Sequence, residues 1–91
     1  MADVIVTLKI MPSSTDADLN AIASEAGEII KKAGGEVGKT EHEPIAFGLV
    51  SLKIIFVINE KLGGTEPIEN AISQIEGVAS VDAIDVRRAI G

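Results

Sequence analysis

The sequence predicts an α+β fold, one four-stranded antiparallel sheet with two helices on one face, in the order βαββαβ. Three observations predict it. Residues 4–11 and 49–59 alternate between two faces at period two, as strands do. Residues 19–33 and 68–75 repeat apolar side chains at the 3.6-residue spacing of a helix. Residues 36–43 and 78–86 are charged stretches of strand length, suited to sheet edges. Each helix follows one strand and precedes another, so right-handed crossovers place both on the same side of the sheet.

The elements follow in order. Val4, Val6, Leu8 and Ile10 share one face of the first strand, opposite Ile5, Thr7 and Lys9, and Pro12 ends it. Residues 13–16, Ser-Ser-Thr-Asp, form a helix-start cluster, with Thr15 paired to Asp18, or Asp16 itself, as the N-cap. Leu19, Ile22, Ala23, Ala26, Ile29, Ile30 and Ala33 make the stripe of the first helix. Its wet side runs from Glu25 and Glu28 to Lys31 and Lys32, in keeping with the helix dipole. Gly34-Gly35 stops it, and Gly27 inside it suggests close approach to the sheet. Residues 36–43 read as an edge strand, and Pro44 agrees with an edge. In residues 49–59, Val50, Leu52, Ile54, Phe56 and Ile58 line one face, and Ser51, Lys53, Ile55, Val57 and Asn59 the other. Residues 60–64 read as a loop. Thr65 is the N-cap of a second helix with Pro67 in its first turn, striped by Ile68, Ala71, Ile72 and Ile75 and closed by Gly77. Residues 78–86 alternate imperfectly, and 87–91 read as a tail. The split βαβ connection puts the apolar first and third strands in the middle, the ferredoxin-like sandwich.

Composition removes several functions. The 91 residues suit a single domain over 1–91. Eight basic against 14 acidic residues leave a net charge of −6, and with no Trp or Tyr the chain is a poor candidate for direct nucleic-acid binding. With no cysteine, disulfides, thiolate metal sites, a cysteine nucleophile and iron–sulfur clusters are excluded; no metal or cofactor is expected. The start carries no basic stretch before an apolar one, and the longest apolar run, residues 54–58, is far short of a membrane span. The expectation is a cytoplasmic protein without membrane contact.

Catalytic signals are sparse. His42, the single histidine, lies between Glu41 and Glu43 and reads as a solvated edge residue. The Gly-Gly pairs at 34–35 and 63–64 lack phosphate-loop spacing. Two features resist this account. Residues 44–49, Pro-Ile-Ala-Phe-Gly-Leu, are apolar where a turn should be polar. Phe47 either folds back as a lid on the core or stands out as an anchor for a partner's pocket. The helix-free face holds Ile5, Ile55 and Val57, either a contact patch or a strip too small to matter. Arg87-Arg88 is either solvated or paired with acidic residues.

Residues 43–49, Glu-Pro-Ile-Ala-Phe-Gly-Leu, running into Leu52-Lys53-Ile54, resemble the signature of the translation elongation factor 1-beta family in its short archaeal form. Residues 8–12, 63–66 and 75–78 match at the flanks. The chain resembles only the C-terminal exchange domain of eukaryotic relatives, which carry further N-terminal regions, and is expected to be complete as it stands. The resemblance implies a ferredoxin-like fold and guanine-nucleotide exchange on elongation factor 1-alpha without covalent chemistry. It implies that Phe47 enters a pocket on the GTPase, with Pro44, Ile45 and Gly48 around it. It also implies that the C-terminal end approaches the GTPase's magnesium and phosphates. Eukaryotic relatives use a lysine there; this chain has none after Lys61, and Arg87 and Arg88 are the candidates in its place. The rival is a small-molecule-sensing regulatory module on the same architecture. A metal carrier is the remoter third reading.

Overall fold

The period-two segments form the strands of one antiparallel sheet. In the computed structural model, which describes residues 3–62 and 64–89, the elements are β1 (Asp3–Pro12), α1 (Leu19–Lys32), β2 (Glu36–Pro44), β3 (Val50–Asn59), α2 (Glu66–Ser73) and β4 (Val78–Arg88). The strand order is β2-β3-β1-β4, so the apolar β1 and β3 are central and the charged β2 and β4 are the edges. The expected sandwich is the one observed.

The core lies between the sheet and both helices. Val6, Leu8 and Ile10 of β1 and Leu52, Ile54, Phe56 and Ile58 of β3 meet Ile22, Ala26 and Ile30 of α1 and Ile68 and Ile72 of α2. All are at most 5% exposed. Burying one such side chain contributes about 1.5–3 kcal/mol.

Several local expectations change. The N-cap of α1 is Asp18 rather than Thr15 or Asp16; its carboxylate accepts the Ala21 N–H at 3.1 Å. The reason is position, because Asp18 directly precedes the first helical residue and faces an orphan amide. A Cβ at Gly27 would meet nothing within 4 Å, so close packing against the sheet does not account for that glycine. The helix does end at Gly34-Gly35. Gly34, at φ 95°, donates to the Lys31 carbonyl and Gly35 to that of Ile30, which is the Schellman arrangement. Residues 60–62 are a 3₁₀ turn rather than an open loop, and Gly63 lies outside the described residues. The Thr65 hydroxyl donates to the Glu69 carboxylate at 2.8 Å instead of capping a backbone amide. Ala71 is exposed, outside the buried stripe of α2.

The imperfect alternation of the last strand has a cause. Its register against β1 slips at Thr7/Leu8 and again at Met11/Pro12, leaving Ile84 and Ala79 unpaired. Each extra residue reverses the facing of those beyond it. The strand also runs on through Arg88, so the two arginines belong to the sheet rather than to a tail.

Candidate functional site

Between Pro44 and Val50 the chain must reverse direction between an edge strand and a central one. Ile45 donates its N–H to the Leu49 carbonyl, and Leu49 donates to that of Ala46, both at 2.9 Å. The two central residues of the turn, Phe47 and Gly48, have φ of 54° and 79°. This is the type I′ geometry that matches sheet twist and usually takes Asn-Gly or Gly-Gly. Gly48 adopts it freely. Phe47 does not: the left-handed conformation costs an ordinary residue about 1–2 kcal/mol. Among the described residues it is the one non-glycine at positive φ.

The ring of Phe47 is 98% exposed, which rules out the core-lid alternative. Ile45 beside it is 44% exposed, and Pro44 and Gly48 are exposed as well. A strained backbone and a wetted benzyl group both work against folding stability, so folding alone does not account for Phe47 at this position.

The tip is backed on both sides. Toward the helices, a Cβ at Gly48 would stand 3.6 Å from Thr15, placing the turn beside the β1–α1 connection. A small cavity of about 50 Å³ separates them, lined by Pro12, Thr15, Leu19, Gly48 and Val50 among others. Toward the open face, Ser51 lies opposite Glu43, and its hydroxyl donates to the Glu43 carbonyl at 3.2 Å. The Glu43 carboxylate takes the Lys53 ammonium at 2.7 Å. That hydrogen bond and charge hold the Glu43 carboxyl below the usual carboxylate range and raise the Lys53 ammonium above its own.

Arg87 and Arg88 lie at the other end of the sheet. Arg88 is opposite Val4, which pairs with Ile58, and Pro44 is opposite Val50, eight residues back along β3. At strand rise, the two clusters are offset by ~27 Å along the strands. The structure therefore brings Pro44, Ile45, Phe47 and Gly48 together and does not bring the arginines to them. Period two sends the arginines to opposite faces: Arg87 shares Ile5's open face and Arg88 shares Val4's helix side. Both are paired with acids, Arg87 Nε to Asp85 at 3.0 Å and Arg88 to Glu60 at 2.9 Å. These pairs are well exposed, so each holds its arginine only weakly.

The open face itself is a set of rungs. Glu36, Val57, Ile5 and Arg87 form one, and Glu41, Lys53, Lys9 and Asp82 another. Val57, Ile5 and Ile55 are half-buried rather than exposed, so the apolar strip is a modest one. His42 is exposed on β2. Among the described residues no cluster of three or more His, Cys, Asp or Glu has a metal-binding arrangement, and no helix is long and apolar enough to cross a membrane.

Sequence reasoning missed Ser51, the Glu43–Lys53 pair and the acids Asp85 and Glu60. The hairpin register held the signal for the first three, since period two sets Ser51 and Lys53 on the same face as Glu41 and Glu43. Glu60 and Arg88 are 28 residues apart, and only the fold joins them.

Compared with known proteins, residues 5–89 match the model of the EF-1 guanine nucleotide exchange domain. The chain is 48% identical over 88 residues to elongation factor 1-beta of Methanothermobacter thermautotrophicus, covering 97% of this chain and 98% of the relative. It is 49% identical over 88 residues to elongation factor 1-beta of Methanobrevibacter smithii, with 97% and 98% covered. The more distant elongation factor 1-beta of Methanocaldococcus jannaschii is 36% identical over 89 residues, with 98% and 100% covered.

Proposed function

The chain belongs to the EF-1 guanine nucleotide exchange domain family and serves guanine-nucleotide exchange in translation elongation; from that premise we propose how it acts on its partner, elongation factor 1-alpha. The turn at residues 46–49 is the element that engages the GTPase, with Phe47 as its anchor. The observation that carries this reading is a benzyl side chain 98% exposed on a backbone at φ 54°, an arrangement that folding alone disfavours. An exposed aromatic gains most of its contact energy when a partner's pocket desolvates it, and Phe47 supplies such a ring with few rotamers to freeze. Pro44, Ile45 and Gly48 form the rim.

No bond is made or broken by the factor. It binds best to the nucleotide-free GTPase and so weakens GDP binding, and GDP weakens the factor's binding by the same ratio. GTP then refills the site. Arg87 and Arg88, ~27 Å along the sheet from the tip, are the second contact. Surface ion pairs exchange partners at little cost, so either guanidinium can leave its acid for a phosphate oxygen on the GTPase. The net charge of −6 speeds encounter with a basic partner. The setting is the cytoplasm, where elongation takes place. The family match leaves the small-molecule-sensing reading without support.

The test is release of labelled GDP from elongation factor 1-alpha, with the wild-type factor and with Phe47→Ala. The expected result is fast release with the first and a large loss with the second, both proteins remaining folded. Equal release by the two would refute the anchor role.

A further inference from the structure

Among the described residues the buried polar side chain is Ser51, fully enclosed on a strand whose other closed positions are aliphatic or aromatic. The Ser51 hydroxyl donates to the backbone carbonyl of Glu43 at 3.2 Å, while Lys53, two residues on along the same face, takes the carboxylate of that same Glu43 at 2.7 Å. Glu43 is thus gripped twice, once by its backbone and once by its side chain, from one neighbouring strand.

The grip sits at the root of the hairpin. From Glu43 the chain passes to Pro44, whose ring fixes φ. Ile45 is then tied to Leu49 and Ala46 to Leu49 by backbone hydrogen bonds, and the next residue is Phe47. Few soft torsions separate the grip from the ring. On the other side the turn is backed by Thr15. An edge strand has no second neighbour to hold it, so without the grip the tip has a single row of ladder bonds to set its angle to the sheet.

We propose that Ser51 and the Glu43–Lys53 pair are positioning residues for exchange: they hold the Phe47 turn at the angle the GTPase receives, and so lower the ordering cost of docking. The inference rests on the anchor reading above and names what supports the anchor.

The test combines two measurements on the full chain. Backbone ¹⁵N relaxation reports the order of Ala46, Phe47 and Gly48 in the free protein, and GDP release from elongation factor 1-alpha is followed against factor concentration. The variants are Ser51→Ala, Lys53→Met and Glu43→Gln, with Lys53→Arg as the conservative control that keeps the charge. The expected result is lower order at the tip in the first three. Their half-saturating factor concentration should rise roughly three- to tenfold at an unchanged maximal rate, with both properties retained in Lys53→Arg. Unchanged tip order in all three variants would overturn the grip. Loosened tips with unchanged half-saturation would overturn its role in exchange. Failure of the anchor reading itself is distinguishable, because Phe47→Ala would then exchange normally whatever the tip order of the other variants.

Discussion

Replacing Phe47 by glycine separates the cost of this residue from its use. A side chain 98% exposed has almost no packing to lose, so the cavity penalty of about 3–5 kcal/mol for truncating a buried phenylalanine is absent. The backbone at φ 54° gains instead. Glycine removes a left-handed strain of about 1–2 kcal/mol and gives back about 0.5–1 kcal/mol in unfolded-chain entropy. The net lies between about 0 and +1.5 kcal/mol of added stability, which for a domain of this size raises Tm by about 0–10 °C. Phe47→Ala keeps the strain and stays within about 0.5 kcal/mol of wild type. Exchange should move the other way. Burying a phenylalanine in a pocket is worth about 1.5–3 kcal/mol, so both variants should need about 10- to 150-fold more factor for the same rate of GDP release. The assays are thermal unfolding by circular dichroism and release of labelled GDP, with Phe56→Ala as the control for a fully buried ring. A fall in Tm of about 12 °C or more in Phe47→Gly, the scale of a lost core ring, would refute the reasoning. So would exchange equal to wild type.

Three further outcomes are expected. Asp18→Ala removes the cap on Ala21 and should cost about 1 kcal/mol, a drop of about 4–8 °C in Tm, with exchange intact. Arg87→Ala and Arg88→Ala should each slow GDP release while leaving stability within about 0.5 kcal/mol, because their pairs with Asp85 and Glu60 are exposed; unchanged release in both would remove the second contact. The Lys53 hydrogen bond and charge, with a further pull from Lys9, depress the Glu43 carboxyl, while Glu43 raises Lys53, with Glu41 adding to it. A depressed acid stabilises above its ordinary value, near 4.5, and loses that contribution as pH falls through its lower folded value. A raised amine stabilises below its ordinary value, near 10.5, and loses it as pH rises beyond. The order of the tip, followed by the amide signals of residues 46–48, should therefore stay level between these limits and loosen below the acidic one. In Glu43→Gln the acidic step should vanish.

Much of this protein was legible before folding because its signals are local. Val6, Leu8 and Ile10, or Leu52, Ile54 and Phe56, declare a buried face by alternation alone, and Ile22, Ala26 and Ile30 declare a helix stripe by spacing. A core built from such stripes has few ways to close, so order and sheet topology follow. The motif at residues 43–49 marked the tip for the same reason, being apolar where solvent is expected. Cap and boundary details were less legible. Thr15, Asp16 and Asp18 are chemically similar N-caps, and the backbone path decides which one meets an amide.

The amino-acid order by itself determined the sandwich, its edges and the anomalous apolar turn at residues 44–49, since periodicity and turn chemistry act over a few residues. Only the tertiary structure decided that Phe47 faces water on a strained backbone and that the arginines stand at the far end of the sheet. It also decided that Ser51 and Lys53 grip Glu43. The physical reason is register. Which side chains meet depends on how strands align and where a bulge reverses their facing, and alignment is set by burial summed over the whole sheet rather than by any one stretch of chain.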